Sequence, residues 1–191
     1  NPPPKASPPA VDFSAVTIVD GVPGELPYTG STKTNAYGGG GGNGYSTAPS
    51  IHTDEENRRI GKRGEEVVYH AERDRLNKLG KNPDSVRWVS KVDELSPYDI
   101  VSMDEDGQLI YLEVKSTKGA DPTDTFYISQ RELIEATVQR SRYYIYRVTE
   151  VDSAVPAITR WSDPLGLVKD GKGHLLLAKA QMALSLADGA A

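Results

Sequence analysis

Two β-prone runs joined by a four-residue turn constrain the fold of this chain more than any other feature. Tyr98-Asp-Ile-Val-Ser-Met leads into Asp104-Glu-Asp-Gly, and then comes Gln108-Leu-Ile-Tyr-Leu-Glu-Val-Lys. Asp and Gly supply turn chemistry, so the two runs are expected to form an antiparallel hairpin. Side chains along a strand alternate faces with a period of two. Glu113 and Lys115 therefore share a face. Val114 points the other way, into the core, and offers its backbone carbonyl as an oxygen ligand. Asp99 opens one strand and Glu113 nears the end of the next, so both belong near the same end of the sheet.

Other periodicities surround this hairpin. Residues 56–80 read as a helix, with Ile60, Val67, Val68, Ala71, Leu76 and Leu79 at approximately helical spacing and Gly80 as the stop. Arg87-Trp-Val-Ser reads as a short strand. Ser129 followed by Glu132 is a capping-box pattern that opens a helix over 130–140. Arg142-Tyr-Tyr-Ile-Tyr-Arg-Val is strongly β-prone. Ala154-Val-Pro-Ala-Ile-Thr is expected to be an edge strand, because Pro156 is unwelcome in a central one. Asp163-Pro-Leu-Gly reads as a turn, and 174–187 as a C-terminal helix. The order helix, three strands, helix, strand predicts an α/β domain, a central mixed sheet with a helix on each side.

Composition divides the chain. Residues 1–53 contain Pro2, Pro3, Pro4, Pro8 and Pro9 and the run Gly38 to Gly42, and read as a Pro/Gly-rich linker or disordered tail. Within it, Phe13-Ser-Ala-Val-Thr-Ile-Val is strand-like and would dock on the domain or on a neighbour. Residues 54–191 are expected to be one domain, with a core at 56–150 and a C-terminal strand and helix in 151–191. No Cys is present, which excludes disulfides and Cys-ligated zinc and fits a reducing intracellular compartment. That compartment would be the cytoplasm, or the nucleus in a eukaryote. No apolar run reaches the roughly 20 residues that span a bilayer. A start at Asn1 suggests a fragment of a larger protein, with other domains or subunits as partners and a homodimer compatible with the pattern. The net charge of −5 gives no general nucleic-acid coat, but phosphate contacts need only a local patch.

The hairpin face carries two carboxylates and an ammonium. A hard divalent cation takes oxygen ligands, and Mg²⁺ commonly uses one or two carboxylates plus waters and phosphate oxygens. Asp99, Glu113 and the Val114 carbonyl suit that role, and Lys115 would orient a water or neutralise charge on a phosphorane. The alternative is a solvated face with a cross-strand Glu–Lys pair of little energetic weight.

Pro97-Tyr-Asp99 followed by Glu113-Val-Lys115, in this element order, resembles the PD-(D/E)XK nuclease superfamily. More closely, the chain is similar to the NO VEIN C-terminal-like domain, an uncharacterised branch of it. The resemblance rests on Gly61-Lys-Arg-Gly-Glu-Glu-Val-Val, Ser96-Pro-Tyr-Asp-Ile-Val-Ser, Tyr111-Leu-Glu-Val-Lys-Ser-Thr, Phe126-Tyr-Ile-Ser-Gln-Arg-Glu and Tyr144-Ile-Tyr-Arg-Val. The branch commonly has Gly where this chain has Tyr98. The resemblance implies a restriction-endonuclease-like core and a Mg²⁺-dependent nuclease, with Mn²⁺ able to substitute. DNA is the expected substrate ahead of RNA, and the setting is the effector domain of a larger defence or repair protein. A nuclease-fold module that binds nucleic acid or protein without cutting is the alternative. A third reading is an interaction domain whose acidic surface meets a protein and never DNA.

The resemblance also implies an acidic residue on the first helix. On the helical wheel Glu65 lies at the edge of the inward face and Glu66 points away, so Glu65 is the expected active-site carboxylate. Gly61 and Gly64 would permit close helix–sheet approach. Gln130, Lys118 and Arg131 are candidate substrate contacts, as is the basic cluster Arg58, Arg59, Lys62 and Arg63. The alternative for that cluster is a solvated helix face, and for Ser129 and Glu132 simple capping. His52, His70 and His174 lack metal-ligand spacing and are assigned no catalytic role.

Overall fold

The computed structural model describes residues 7–22 and 51–175. In chain order the elements are β1 (Ile18–Asp20), α1 (Ile51–Lys78), β2 (Arg87–Trp88), β3 (Ile100–Met103), β4 (Leu109–Ser116), α2 (Gln130–Gln139), β5 (Tyr143–Thr149), β6 (Ala157–Ser162) and α3 (Pro164–Lys169). Among the described residues the six strands make one mixed sheet in the order β1-β6-β5-β4-β3-β2. The β3–β4 hairpin is antiparallel on the Asp104–Gly107 turn. The β4–β5 pair is parallel and crosses over through α2.

The sheet is sandwiched because its strands are apolar on both faces. Leu112, Val114, Tyr146 and Val148 pack with Val67, Val68, Ala71 and Leu76 of α1. Tyr143, Ile145 and Tyr111 pack with Ala136 of α2 on the opposite face. Of the positions expected on the inward side of α1, Leu79 is exposed at the helix end. Glu72, in contrast, is wholly buried. Its carboxylate accepts hydrogen bonds from Tyr146 Oη (2.7 Å), Ser102 Oγ (2.5 Å) and Arg75 Nε (2.9 Å). Those partners offset the desolvation of a buried carboxylate.

Two local expectations are corrected, and a third lies mostly outside the described residues. The strand after Val155 is no edge: β6 lies between β5 and β1, because Ile18–Asp20 pairs with it in parallel. Pro156 just precedes that strand, so no ladder hydrogen bond is lost. The strand-like patch at 13–19 thus docks on the domain, and its end, Ile18 and Val19, joins the sheet. Val16 is buried, Phe13 stacks on His70, and Arg63 Nη2 donates to the Pro9 carbonyl (2.6 Å). Asp163-Pro-Leu-Gly opens α3. Asp163 is its N-cap, accepting from Gly166 N–H (3.0 Å), and Pro164 takes the first helical position, where its missing N–H costs nothing. Finally, the C-terminal helix expected over 174–187 falls mostly outside the described residues, and 174–175 are irregular.

Candidate metal centre

The β3–β4 register pairs Ile100 with Leu112. The ladder stops there: the Asp99 N–H donates to the Leu112 carbonyl (2.9 Å), one residue out of step with the Ile100–Leu112 pair, which marks a bulge at the entry to β3. Leu112 and Val114 fill the α1 face, so Glu113 and Lys115 belong to the α2 face.

Each group is held in place. The Asp99 Oδ2 accepts from the Val114 N–H (2.8 Å). That N–H points toward β3, and a strand residue sends its N–H and C=O to the same side. The Val114 carbonyl is therefore on the Asp99 side. Tyr143 Oη donates to the Pro97 carbonyl (2.9 Å), fixing the turn before Asp99. Lys115 Nζ donates to Glu113 Oε1 (2.6 Å) and to Glu132 Oε2 (2.8 Å). Glu65 reaches the site from α1. Its carboxylate accepts from Trp88 Nε1 (2.7 Å) and from Ser90 Oγ, and Ser90 donates its own N–H to the Asp99 carbonyl (3.1 Å).

Burial dominates the electrostatics, and surplus negative charge adds to it. Burial, then the nearby Glu65 charge, pushes the Asp99 carboxyl up to about 7. Burial, then Asp99, pushes Glu113 well above the usual carboxylate range. Burial opposes the charge on Lys115, but Glu113 and Glu132 outweigh it and raise its pKa. Burial likewise opposes the Glu132 charge, yet Lys115 and the Ser129 cap hold it below its ordinary value. Asp99 and Glu113 both hold a proton more readily than an ordinary carboxylate does. Glu132 is the ionised partner of the lysine.

These donors fit a hard divalent cation. Asp99, Glu113 and the Val114 carbonyl form an open oxygen set, and an unbalanced carboxylate pair is what such an ion neutralises. The set is no ready-made cage: among the described residues no three acidic or histidine side chains converge on one point.

The structure brings Asp99, Glu113, Lys115 and Glu65 together and leaves other candidates aside. Glu66 is exposed. Gly64 permits close approach, since a Cβ there would sit 1.7 Å from Ser116 Oγ, but Gly61 faces open space and does not. Lys118 is committed to Glu56 and Asp152. Arg131 is exposed and donates to the Leu95 carbonyl (3.1 Å), and Gln130 is an exposed first residue of α2. In the basic cluster, Arg59 pairs with Glu56 and Asp152, and Arg63 binds the carbonyls of Val151, Ser153 and Pro9. Both clamp the fold. Arg58 and Lys62 are solvated.

Sequence reasoning placed Glu132 in the capping box, which is present, but missed its grip on Lys115. The spacing of 17 residues between two elements carries no periodic signal for that contact. Trp88 and Ser90, which hold Glu65, gave none either.

No curated protein and no solved structure matches the chain. The family model described as "Protein NO VEIN, C-terminal" matches residues 64–161, which include all four clustered residues and Glu132. That match spans more than half of the 191 residues, and the chain therefore belongs to the NO VEIN C-terminal family.

Proposed function

We propose that this domain is a Mg²⁺-dependent nuclease that hydrolyses phosphodiester bonds, with DNA preferred over RNA. The observation that carries the reading is the Asp99 carboxylate held on the Val114 N–H (2.8 Å), between Glu113 and Lys115, which share one face and are joined at 2.6 Å. Asp99, Glu113 and the Val114 carbonyl would hold the ion, and Glu65 would add a carboxylate from α1. A bound divalent cation would supply Lewis-acid polarisation of the phosphodiester and a water of lowered pKa. The protein's own part is to hold these carboxylates by fixed hydrogen bonds and to present the Lys115 ammonium toward charge developing on the phosphate. Glu132 is a positioning residue, since it acts through Lys115. The family resemblance favours an effector domain of a larger defence or repair protein.

Two observations favour a second reading, a module that binds nucleic acid or protein without cutting. Lys115 is already paired with both Glu113 and Glu132, and no three-ligand group gathers among the described residues.

The test incubates the protein with supercoiled plasmid and, separately, with RNA, in Mg²⁺ or Mn²⁺. Asp99→Asn, Lys115→Ala and an EDTA control run alongside, with circular dichroism reporting folding. The expected result is metal-dependent cleavage, at least about a hundred-fold slower in both variants. Cleavage that survives EDTA or Lys115→Ala sinks the proposed chemistry. Metal-independent retention of DNA without cleavage supports the second reading.

A further inference from the structure

The face that carries Glu113 and Lys115 continues onto β5, where Arg147 is the direct partner of Lys115 in the parallel β4–β5 pair. Neighbouring strands are about 4.8 Å apart, so the two cationic side chains stand side by side. Arg147 is only 5% exposed. Arginines so buried are usually paired, because an uncompensated buried charge is costly. Even the less buried Arg59, Arg63, Arg75 and Arg160 are each bonded to protein carboxylates or carbonyls. Arg147 is not. Its Nε is buried without a hydrogen-bond partner among the described residues.

The surroundings hold this guanidinium in place without using its donors. Its central carbon lies 5.6 Å from the centre of the Phe126 ring, a cation–π contact that leaves the N–H edge unused. Burial lowers its pKa, and the charges of Asp124 and Asp121 offset that only in part. The Asp121 carboxylate is bonded to Thr123 instead. Arg147 and Lys115 together line an open cleft whose other walls include Thr117, Thr125 and Tyr127. A planar fork of unused donors beside a second cation, in a cleft, is suited to a tetrahedral anion with several oxygens.

We propose that Arg147 binds a backbone phosphate of a DNA strand lying in the cleft beside Lys115. This rests on the nuclease reading only in that a phosphodiester strand enters the cleft; it does not require that the strand be cut.

The test measures binding of a fluorescent duplex oligonucleotide by anisotropy, in Ca²⁺, over a range of salt. Arg147→Met should weaken binding about 10- to 100-fold, the loss of a charged hydrogen-bonding partner. It should also lower the salt slope by about 0.9, one phosphate's worth. Lys172→Met, an equal charge loss at an exposed position, should change binding less than about two-fold. In the wild-type protein, the Arg147 Nε–Hε NMR signal should move during titration with the same duplex, which keeps the test informative if Arg147→Met fails to fold. A folded Arg147→Met variant with unchanged affinity and slope overturns the proposal, as does an Nε–Hε signal that stays fixed to saturation. Cleavage or binding by wild type in those cases leaves the nuclease reading standing. No binding of DNA by wild type at all overturns both.

Discussion

Lys115 on β4 and Glu132 on α2 are joined by a 2.8 Å ion pair that ties the first turn of the helix to the site strand. The same carboxylate accepts the Ser129 N–H (3.1 Å) as half of the capping box. One residue thus caps the start of a helix and holds a lysine.

Two substitutions separate those roles. Gln also completes a capping box, so Glu132→Gln keeps the cap and removes the charge facing Lys115. Glu132→Ala removes both. Urea unfolding should show Glu132→Ala less stable than Glu132→Gln by about 1 kcal/mol, the usual worth of a cap. Cleavage should fall in both, and the Gln variant should restore stability without restoring rate. Equal stability of the two would show that the cap contributes nothing.

Asp99 makes stability depend on pH with a definite sign. Its folded pKa, about 7, is above the unfolded value near 3.8. The folded state therefore binds more protons between those values, and stability falls as pH rises from about 4 to about 7. Glu113 acts in the same direction. Glu56, held down to about 2 mainly by Arg59, acts oppositely at lower pH, so the comparison must be with a variant. Asp99→Asn should flatten this part of the curve and be more stable than wild type above pH 7 without metal. Adding Ca²⁺ should raise the thermal midpoint of wild type more at high pH than at low. A wild-type curve that matches Asp99→Asn at every pH would remove the basis for the raised carboxyl.

Gly64 and Gly61 lie one turn apart on α1, yet they should respond in opposite ways to alanine. A Cβ at 64 meets Ser116 Oγ at 1.7 Å and Ser116 Cβ at 2.8 Å, while a Cβ at 61 meets nothing within 4 Å. Gly64→Ala should destabilise by about 1–3 kcal/mol through overpacking. Gly61→Ala should stabilise by about 0.5–1 kcal/mol through helix propensity. Thermal unfolding of the two single variants decides; a destabilised Gly61→Ala would refute the open-space account.

Deleting residues 1–22 should weaken the domain. The deletion removes β1, exposes the β6 edge, takes Val16 out of the core and breaks the Asp20–Arg160 ion pair. Losing the buried Val16 alone is worth about 1.5–3 kcal/mol. The urea midpoint should drop and light scattering should grow with concentration, as an unpaired edge invites pairing between chains. An unchanged midpoint would mean that β1 adds no stability.

The sequence by itself determined the elements whose signals are local. The hairpin from Tyr98 to Lys115, the capping box at Ser129 and Glu132, and the apolar spacing of Val67, Val68 and Ala71 each follow from turn chemistry, capping or period. The same period placed Glu113 and Lys115 on one face and Val114 in the core, and the helical wheel chose Glu65 over Glu66. Tertiary structure decided whatever depends on which elements meet. That β6 is interior followed from a strand more than a hundred residues earlier, Ile18–Asp20, pairing with Ile158–Arg160. That Lys118 and Arg59 are committed elsewhere depended on Asp152 across the fold. Burial of Glu72, capture of Lys115 by Glu132 and the unpaired state of Arg147 are likewise consequences of packing. Periodicity specifies the face a side chain takes, but the partner on that face comes from another element, and only the folded chain brings the two together.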